Sequence, residues 1–281
     1  MNLISTLRLT SFYCAALLTL ASAHSACAAE ATSFPAVVVD DVATVFTAPA
    51  RWETQDWKTA GWATLAVVGV AVVADRPVRD FMCKQSKISS CPEAGPNAEV
   101  KNSALTTIEN FGQTYALGVM GGFYLAGVIS DNEKSVQVSQ DLVAASLSSA
   151  LVNQSIKIFA NRSRPRDNQG TDDFKGFTGL NNNSSFPSGH TTEAFTLASV
   201  IASHYEETWV GATAYSVAGL VGVARMYHDA HFASDVVASA LIGTFVGKSI
   251  VKHNRTLRTG KVALLPMIGP DFAGVQVVGN F

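Results

Sequence analysis

Three short stretches of this chain hold side chains whose types and spacing suit chemistry on an anion. The first, Ser185-Phe186-Pro187-Ser188-Gly189-His190-Thr191, is a polar loop passing into a helical pattern. A helix N-terminus offers unpaired N–H groups and the positive end of the helix dipole, which together suit a phosphate. Ser188 adds a hydroxyl, Gly189 allows close backbone approach, and His190 adds a titratable imidazole. Alone, a Pro-Ser-Gly turn opening a helix is most often only a turn.

The second stretch runs from Ala224 to Asp235. His231 and Asp235 are four residues apart and share a helix face, so the carboxylate can hold one imidazole nitrogen. That fixes the tautomer and leaves the other nitrogen as base or nucleophile. Arg225 is a fixed positive fork suited to phosphate. A lone His-x-x-x-Asp is commonly just a surface pair. The third stretch ends a long amphipathic segment. Lys157 and Arg164 are seven residues apart, two helical turns, and share a face if the helix persists to Ser163. Pro165 then terminates it. Arg162, Arg164 and Arg166 crowd this exit, and a solvated basic helix end is the plain reading of any one of them. His228 and Asp229 read as neighbours of the cluster, and His204 and His253 as structural or exposed. Asp172 and Asp173 read as solvated. Phe174, Phe177 and Phe186 either line the mouth of a site or pack under the loop.

Taken together, the three stretches resemble the type 2 phosphatidic acid phosphatase (PAP2) superfamily, which includes bacterial class A acid phosphatases and vanadium haloperoxidases. The family pattern is Lys, six residues, Arg-Pro; then Pro-Ser-Gly-His; then Ser-Arg, five residues, His, three residues, Asp. Here it reads Lys157…Arg164-Pro165, Pro187-Ser188-Gly189-His190, and Arg225…His231…Asp235, with Ala224 where serine is usual. The resemblance implies a metal-independent phosphatase. His231 would attack phosphorus to form a phosphohistidine, with Asp235 orienting it. His190 would protonate the leaving oxygen and later activate water. Lys157, Arg164, Arg225, Ser188 and the Gly189 N–H would hold the phosphoryl oxygens. These fixed cations take the place of Mg²⁺, so no metal and no cofactor is expected. The substrate is then a phosphate ester, either a lipid phosphate or diphosphate or a small soluble ester. Apolar composition tips the expectation toward lipid. A vanadium-dependent haloperoxidase and a non-catalytic anion-binding bundle are the alternatives.

The elements that must position these residues are helices. At 281 residues the chain can build one sizeable core. It is 48% hydrophobic and 15% charged, with a net charge of -2 and no Lys/Arg run, which argues against a nucleic-acid partner. Apolar segments at 59–74, 115–129, 136–160, 191–205, 209–224 and 232–251 predict an all-α bundle of about six helices. The segment before Trp52 is a short amphipathic helix or an extended docking segment. Residues 261–268 and 274–281, split by Gly269-Pro270-Asp271, predict a β-hairpin tail. The organisation expected is a signal peptide at 1–29, a helical phosphatase domain at 30–255 and the tail at 256–281.

The signal peptide rests on Arg8, the apolar run Tyr13 to Leu20 and small residues at Ala21-Ser22-Ala23 or Ala26-Cys27-Ala28. His24 argues against a lipoprotein reading of Cys27. Export implies an oxidising compartment, so Cys83 and Cys91 predict a loop-closing structural disulfide. Lengths allow three or four membrane spans, but several segments fall short of the roughly 20 apolar residues a span needs. With a cleaved signal and six crossings, the loop from Lys157 to His190 and the cysteine loop would both face the cytoplasm. The expectation is therefore a periplasmic bundle, soluble or bound to a membrane surface, with an integral inner-membrane protein as the alternative. The oligomeric state is not legible.

Overall fold

Asp75-Arg76-Pro77, at the end of the apolar segment 59–74, opens a second helix after a bend. Proline is tolerated in the first turn of a helix, where its missing N–H would have no partner. In the computed structural model the described residues are 34–86, 91, 103–179 and 184–259, with the backbone of 263–269 and 272–278. The expected signal peptide lies outside them, as does most of the cysteine loop.

Nine α-helices occur among the described residues, not six. They are α1 (Phe34–Thr47), α2 (Thr54–Val73), α3 (Asp75–Ser86), α4 (Ser103–Glu109), α5 (Thr114–Ile129), α6 (Glu133–Ala160), α7 (Gly189–His204), α8 (Thr208–Tyr227) and α9 (Ala233–Arg258). Helix α1 is the helical one of the two forms expected for the segment before Trp52, and α3 and α4 are additions, too brief or too polar to announce themselves by apolar periodicity. Strands β1 (Ala263–Gly269) and β2 (Phe272–Val278) pair antiparallel from Ala263 opposite Val278 to Gly269 opposite Phe272.

Helix α7 is the hub, packed by α6, α8 and α9. Its contact with α9 is close because of Gly243. A Cβ at that position would lie 2.4 Å from the Thr192 carbonyl oxygen and 2.9 Å from the Thr196 nitrogen. Both are backbone atoms, so neither helix can yield. Val138, Leu142, Val200, Val246 and Ile250 fill the core beside this contact. At the end of the bundle away from the three motifs, buried Asp141 of α6 accepts from His204, Asn254 and the Arg258 fork. His253 bonds Asp40 at 2.7 Å and Asn254 bonds Asp41 at 3.0 Å, fastening α1 to α9. His204 and His253 are thus structural.

Apolar surface faces outward as well as inward. Helix α2 has no buried residue, and Trp57, Trp62, Leu65 and Val72 lie exposed along it. Helices α6 and α9 are each long and apolar enough to cross a membrane. The α2–α3 pair, bent by 56° at its break, makes a third candidate if it counts as one span.

Candidate active site

His231 is held in the loop joining α8 to α9. The loop turns at Asp229, whose φ is +49°. Arg79 of α3 clamps this turn, its Nε donating to Asp229 Oδ1 at 2.9 Å and its Nη2 to Oδ2 at 3.1 Å. A disulfide joins Cys83, one helical turn further along α3, to Cys91, with the two Cα atoms 5.5 Å apart. The one group of metal-ligand types clustered among the described residues is Cys83, Cys91 and Asp229, and its two sulfurs are bonded to each other.

The imidazole of His231 is buried, and its Nδ1 lies 2.6 Å from the Ser185 carbonyl oxygen. A carbonyl only accepts, so Nδ1 carries the proton and Nε2 keeps its lone pair. The sequence expectation gave this orienting role to Asp235. Its Oδ2 is 3.7 Å from Nδ1, beyond a hydrogen bond. Asp235 sits in the first turn of α9, where its Oδ2 accepts from the Phe232 N–H at 2.8 Å. Its Oδ1 accepts from Arg162 at 2.6 Å. The carboxylate therefore stands behind the ring and supplies charge, while the Ser185 carbonyl fixes the tautomer.

Arg162, read from sequence as one of several cations at a helix exit, is the most enclosed cation among the described residues. It is 2% exposed. Nη1 donates to Ser234 Oγ and Asp235, and Nη2 to Asp75 Oδ2 and the Thr171 carbonyl. Asp75 in turn accepts from the Ser234 N–H and hydroxyl, each at 2.7 Å. The guanidinium is sandwiched between the rings of Phe232 and Phe174, 4.2 and 4.9 Å from their centroids. Phe174 thus packs on Arg162, and Phe186 on Phe174.

Helix α6 stops at Ala160, short of the Ser163 that a shared Lys157–Arg164 face required. Asn161 adopts a left-handed conformation with φ +42° and its N–H closes on the Lys157 carbonyl, an αL termination that asparagine tolerates. Arg164 instead begins a 3₁₀ turn over Pro165–Asp167, where its backbone N–H is capped by Asp167 at 2.9 Å. The chain reversal still brings the two cations together. Lys157 is 8% exposed, and its ammonium donates to the Ser184 carbonyl at 2.6 Å. Burial first, then the charges of Arg166 and Arg225, bring Arg164 down to about 10, leaving it charged at neutral pH.

Ser188 caps α7. Its Oγ accepts from the Thr191 N–H and from the Thr191 hydroxyl at 2.9 Å, so its own proton is left to donate elsewhere. Gly189 and His190 follow as the first residues of the helix. His190 Nε2 lies 2.9 Å from Gln113 Oε1. Burial, and after it the charge of Arg225, bring His190 down to about 4. Burial and the charges of Lys157, Arg225 and Arg164 hold His231 well below the ordinary histidine value. Both imidazoles are therefore neutral at pH 7, and both stand in the field of the same three cations.

Two residues that sequence reasoning missed complete the setting, Glu109 and Gln113, on either side of the 3₁₀ turn Asn110–Gly112. This turn seats on α7 because Gly112 has no side chain: a Cβ there would lie 2.2 Å from the His190 carbonyl oxygen. Glu109 Oε2 accepts from Arg225 Nη1 at 2.8 Å and bonds His228 Nδ1 at 2.9 Å. The available signal was a polar break, Glu109-Asn110, ahead of the glycine-rich apolar segment. His228, read as a mere neighbour, is tied to the site through this carboxylate.

A family model described as the PAP2 superfamily matches residues 140–258, a span that contains all three motifs. In addition, LpxE of Aquifex aeolicus, a solved structure, is 30% identical, and the match covers 56% of this chain and 89% of that one, with a TM-score of 0.42. The chain belongs to the PAP2 superfamily. A transmembrane PAP2-type phosphatidylglycerolphosphate phosphatase from Bacillus subtilis is 19% identical over 69% of this chain and 93% of its own, with a TM-score of 0.48. The lipid A 1-phosphatase of Porphyromonas gingivalis is 38% identical over 66 residues, 23% of this chain. That match spans only 15% of the curated relative's length. Within this PAP2 chain, the superfamily's three motifs fall on the end of α6, the start of α7 and the α8–α9 loop, around one buried histidine.

Proposed function

We propose that this PAP2 chain is a metal-independent phosphatase acting on a lipid phosphate monoester through a phosphohistidine. The observation that carries the reading is the state of His231: neutral, with Nδ1 fixed and Nε2 unprotonated, in the field of Lys157, Arg164 and Arg225. In this reading His190 takes up a proton from solvent as the phosphate binds, His231 Nε2 attacks phosphorus as the ester P–O bond breaks, and the His190 imidazolium gives that proton to the leaving oxygen. His190, again neutral, then takes a proton from water as that water attacks phosphorus and the P–N bond breaks, returning the electron pair to His231 Nε2 and releasing inorganic phosphate. The three cations, with the Ser188 hydroxyl and the Gly189 N–H, hold the equatorial oxygens and offset their charge.

Two observations support a lipid substrate and a membrane-embedded protein over the expected soluble or peripheral bundle. Apolar side chains face outward along α2, and α6 and α9 have the length of spans. A cavity of about 620 Å³ opens beside the site end of α6, lined by Phe46, Trp52, Ala63, Ile156, Leu241 and Phe245. Ile156 directly precedes Lys157, so an acyl chain in this cavity lies next to the phosphate-binding end of the helix. The lipid A 1-phosphatase likeness points the same way. The test is phosphate release by the detergent-purified full chain from lipid and soluble phosphomonoesters side by side, with and without EDTA. Lipid substrate should be preferred and chelator harmless; loss of activity in EDTA would overturn the mechanism, and preference for soluble esters the substrate class.

A pH effect follows. With a pKa of about 4, only about one His190 in a thousand is protonated at pH 7 in the ligand-free site. Burial and, after it, the neighbouring cations hold the value down; a phosphoryl dianion offsets the cations, so proton uptake becomes more favourable on binding. The His190 pKa should rise by more than about one unit with orthovanadate bound, read by NMR titration of the ring. A pKa still near 4 in the complex would remove His190 as the acid.

A further inference from the structure

Arg225 is held by a carboxylate through a single guanidinium nitrogen. Nη1 donates to Glu109 Oε2 at 2.8 Å. Nε is buried and has no hydrogen-bond partner, and among the described residues Nη2 has none either. Nε and Nη2 form the side-on edge of the guanidinium, the edge that makes two parallel bonds to an oxyanion. This protein uses that same edge elsewhere, where Arg79 grips both oxygens of Asp229 through Nε and Nη2. A buried donor without a partner is costly, so the empty edge of Arg225 points to a ligand.

Glu109 is itself fixed. Against the burial that would raise it, bonds from His228 and Arg225 and the charge of Arg225 bring Glu109 down to about 2, so it is an anion at neutral pH. Arg225 and His228 are three residues apart in the last turn of α8 and on its first residue beyond, and share one face. Both approach the same oxygen of Glu109. The turn bearing Glu109 is seated in turn by the contact of Gly112 with His190. We infer that Glu109, braced by His228, is a positioning residue that holds Arg225 by Nη1 so that its Nε/Nη2 edge faces the phosphoryl oxygens. This rests on the phosphatase reading above. Glu109 makes no bond to the substrate and takes no proton; it sets the angle of the fork that does.

The opposite role for the same contact is an internal competitor, a carboxylate that occupies Arg225 until phosphate displaces it. The two roles differ in sign. Orthovanadate affinity of the detergent-purified full chain, measured by calorimetry, distinguishes them. For a positioning residue, Glu109→Ala weakens vanadate binding about tenfold or more. Glu109→Gln, whose amide oxygen still accepts from Nη1, retains most of the affinity. Arg225→Lys keeps the ion pair with Glu109 but has no side-on edge, and loses affinity as Glu109→Ala does, which keeps the test open if Glu109→Ala fails to fold. A merely structural role lowers the melting temperature and leaves affinity per folded molecule unchanged. Unchanged or tighter vanadate binding in Glu109→Ala, or unchanged binding in Arg225→Lys, overturns the assignment alone. Failure of the wild-type chain to bind vanadate overturns the phosphatase reading and the assignment with it.

Discussion

His231→Ala should reduce phosphate release by roughly six orders of magnitude, the scale seen when the nucleophile of a covalent mechanism is removed. The expectation follows from geometry. The ring is buried, its Nδ1 is committed to the Ser185 carbonyl, and Nε2 is the atom left to react. Alanine removes that atom and leaves the cations in place, so inorganic phosphate should still bind with an affinity close to that of the wild type. Binding retained with turnover lost is what distinguishes a nucleophile from a residue that shapes the pocket. A second measurement addresses the intermediate directly. Rapid quench of the wild-type chain into alkali, where a phosphoramidate survives, should trap label from a radioactive substrate on His231, and the variant should trap none. Turnover within tenfold of wild type in His231→Ala would sink the covalent mechanism.

The three motifs were legible because their chemistry is local. Lys157, Ser188, His190, Arg225 and His231 each sit at or just beyond a helix end, and short spacings were enough to propose their company. What spacing could not convey was how the loops between them fold back. Asn161 ends α6 with a left-handed residue, so Arg164 reaches the site from a turn and not from the helix face that a seven-residue spacing implied. His231 and Asp235 are four apart, as a helix pair would be, yet α9 begins at Ala233. His231 therefore lies in the loop, and its nearest acceptor is a backbone carbonyl 46 residues away. Backbone acceptors leave no mark in a sequence. Long-range partners are hidden for a related reason: Asp75, Glu109 and Gln113 are single polar residues at the ends of apolar segments, where caps and solvated turns are commoner than active-site supports. The helices that escaped notice were likewise the polar ones, since periodicity reports only an apolar face.

Arg162 shows how much can rest on such a hidden partner, and its replacement should be the most damaging change to the fold. Arg162→Met keeps the length and packs between Phe174 and Phe232, but leaves Asp75 and Asp235 buried without their shared cation. Breaking a buried pair by removing one member costs about 3–5 kcal/mol, a large part of the roughly 5–15 kcal/mol by which a domain is stable. Thermal unfolding in detergent should move down on the order of 10 °C. Arg162→Lys should rescue little, because one ammonium cannot reach Ser234, Asp235, Asp75 and the Thr171 carbonyl together. Double replacement with Asp75→Asn should recover part of the loss, since it removes one of the two stranded carboxylates. The same network carries a catalytic consequence that stability alone does not. Arg162 ties down the Asp235 carboxylate behind His231, so turnover measured well below the melting point should also fall, by about tenfold or more, while vanadate affinity changes less. If turnover per folded molecule is unchanged, the Asp75–Arg162–Asp235 chain fastens the α6 exit loop, the start of α3 and the start of α9 together and does nothing for the imidazole in front of it.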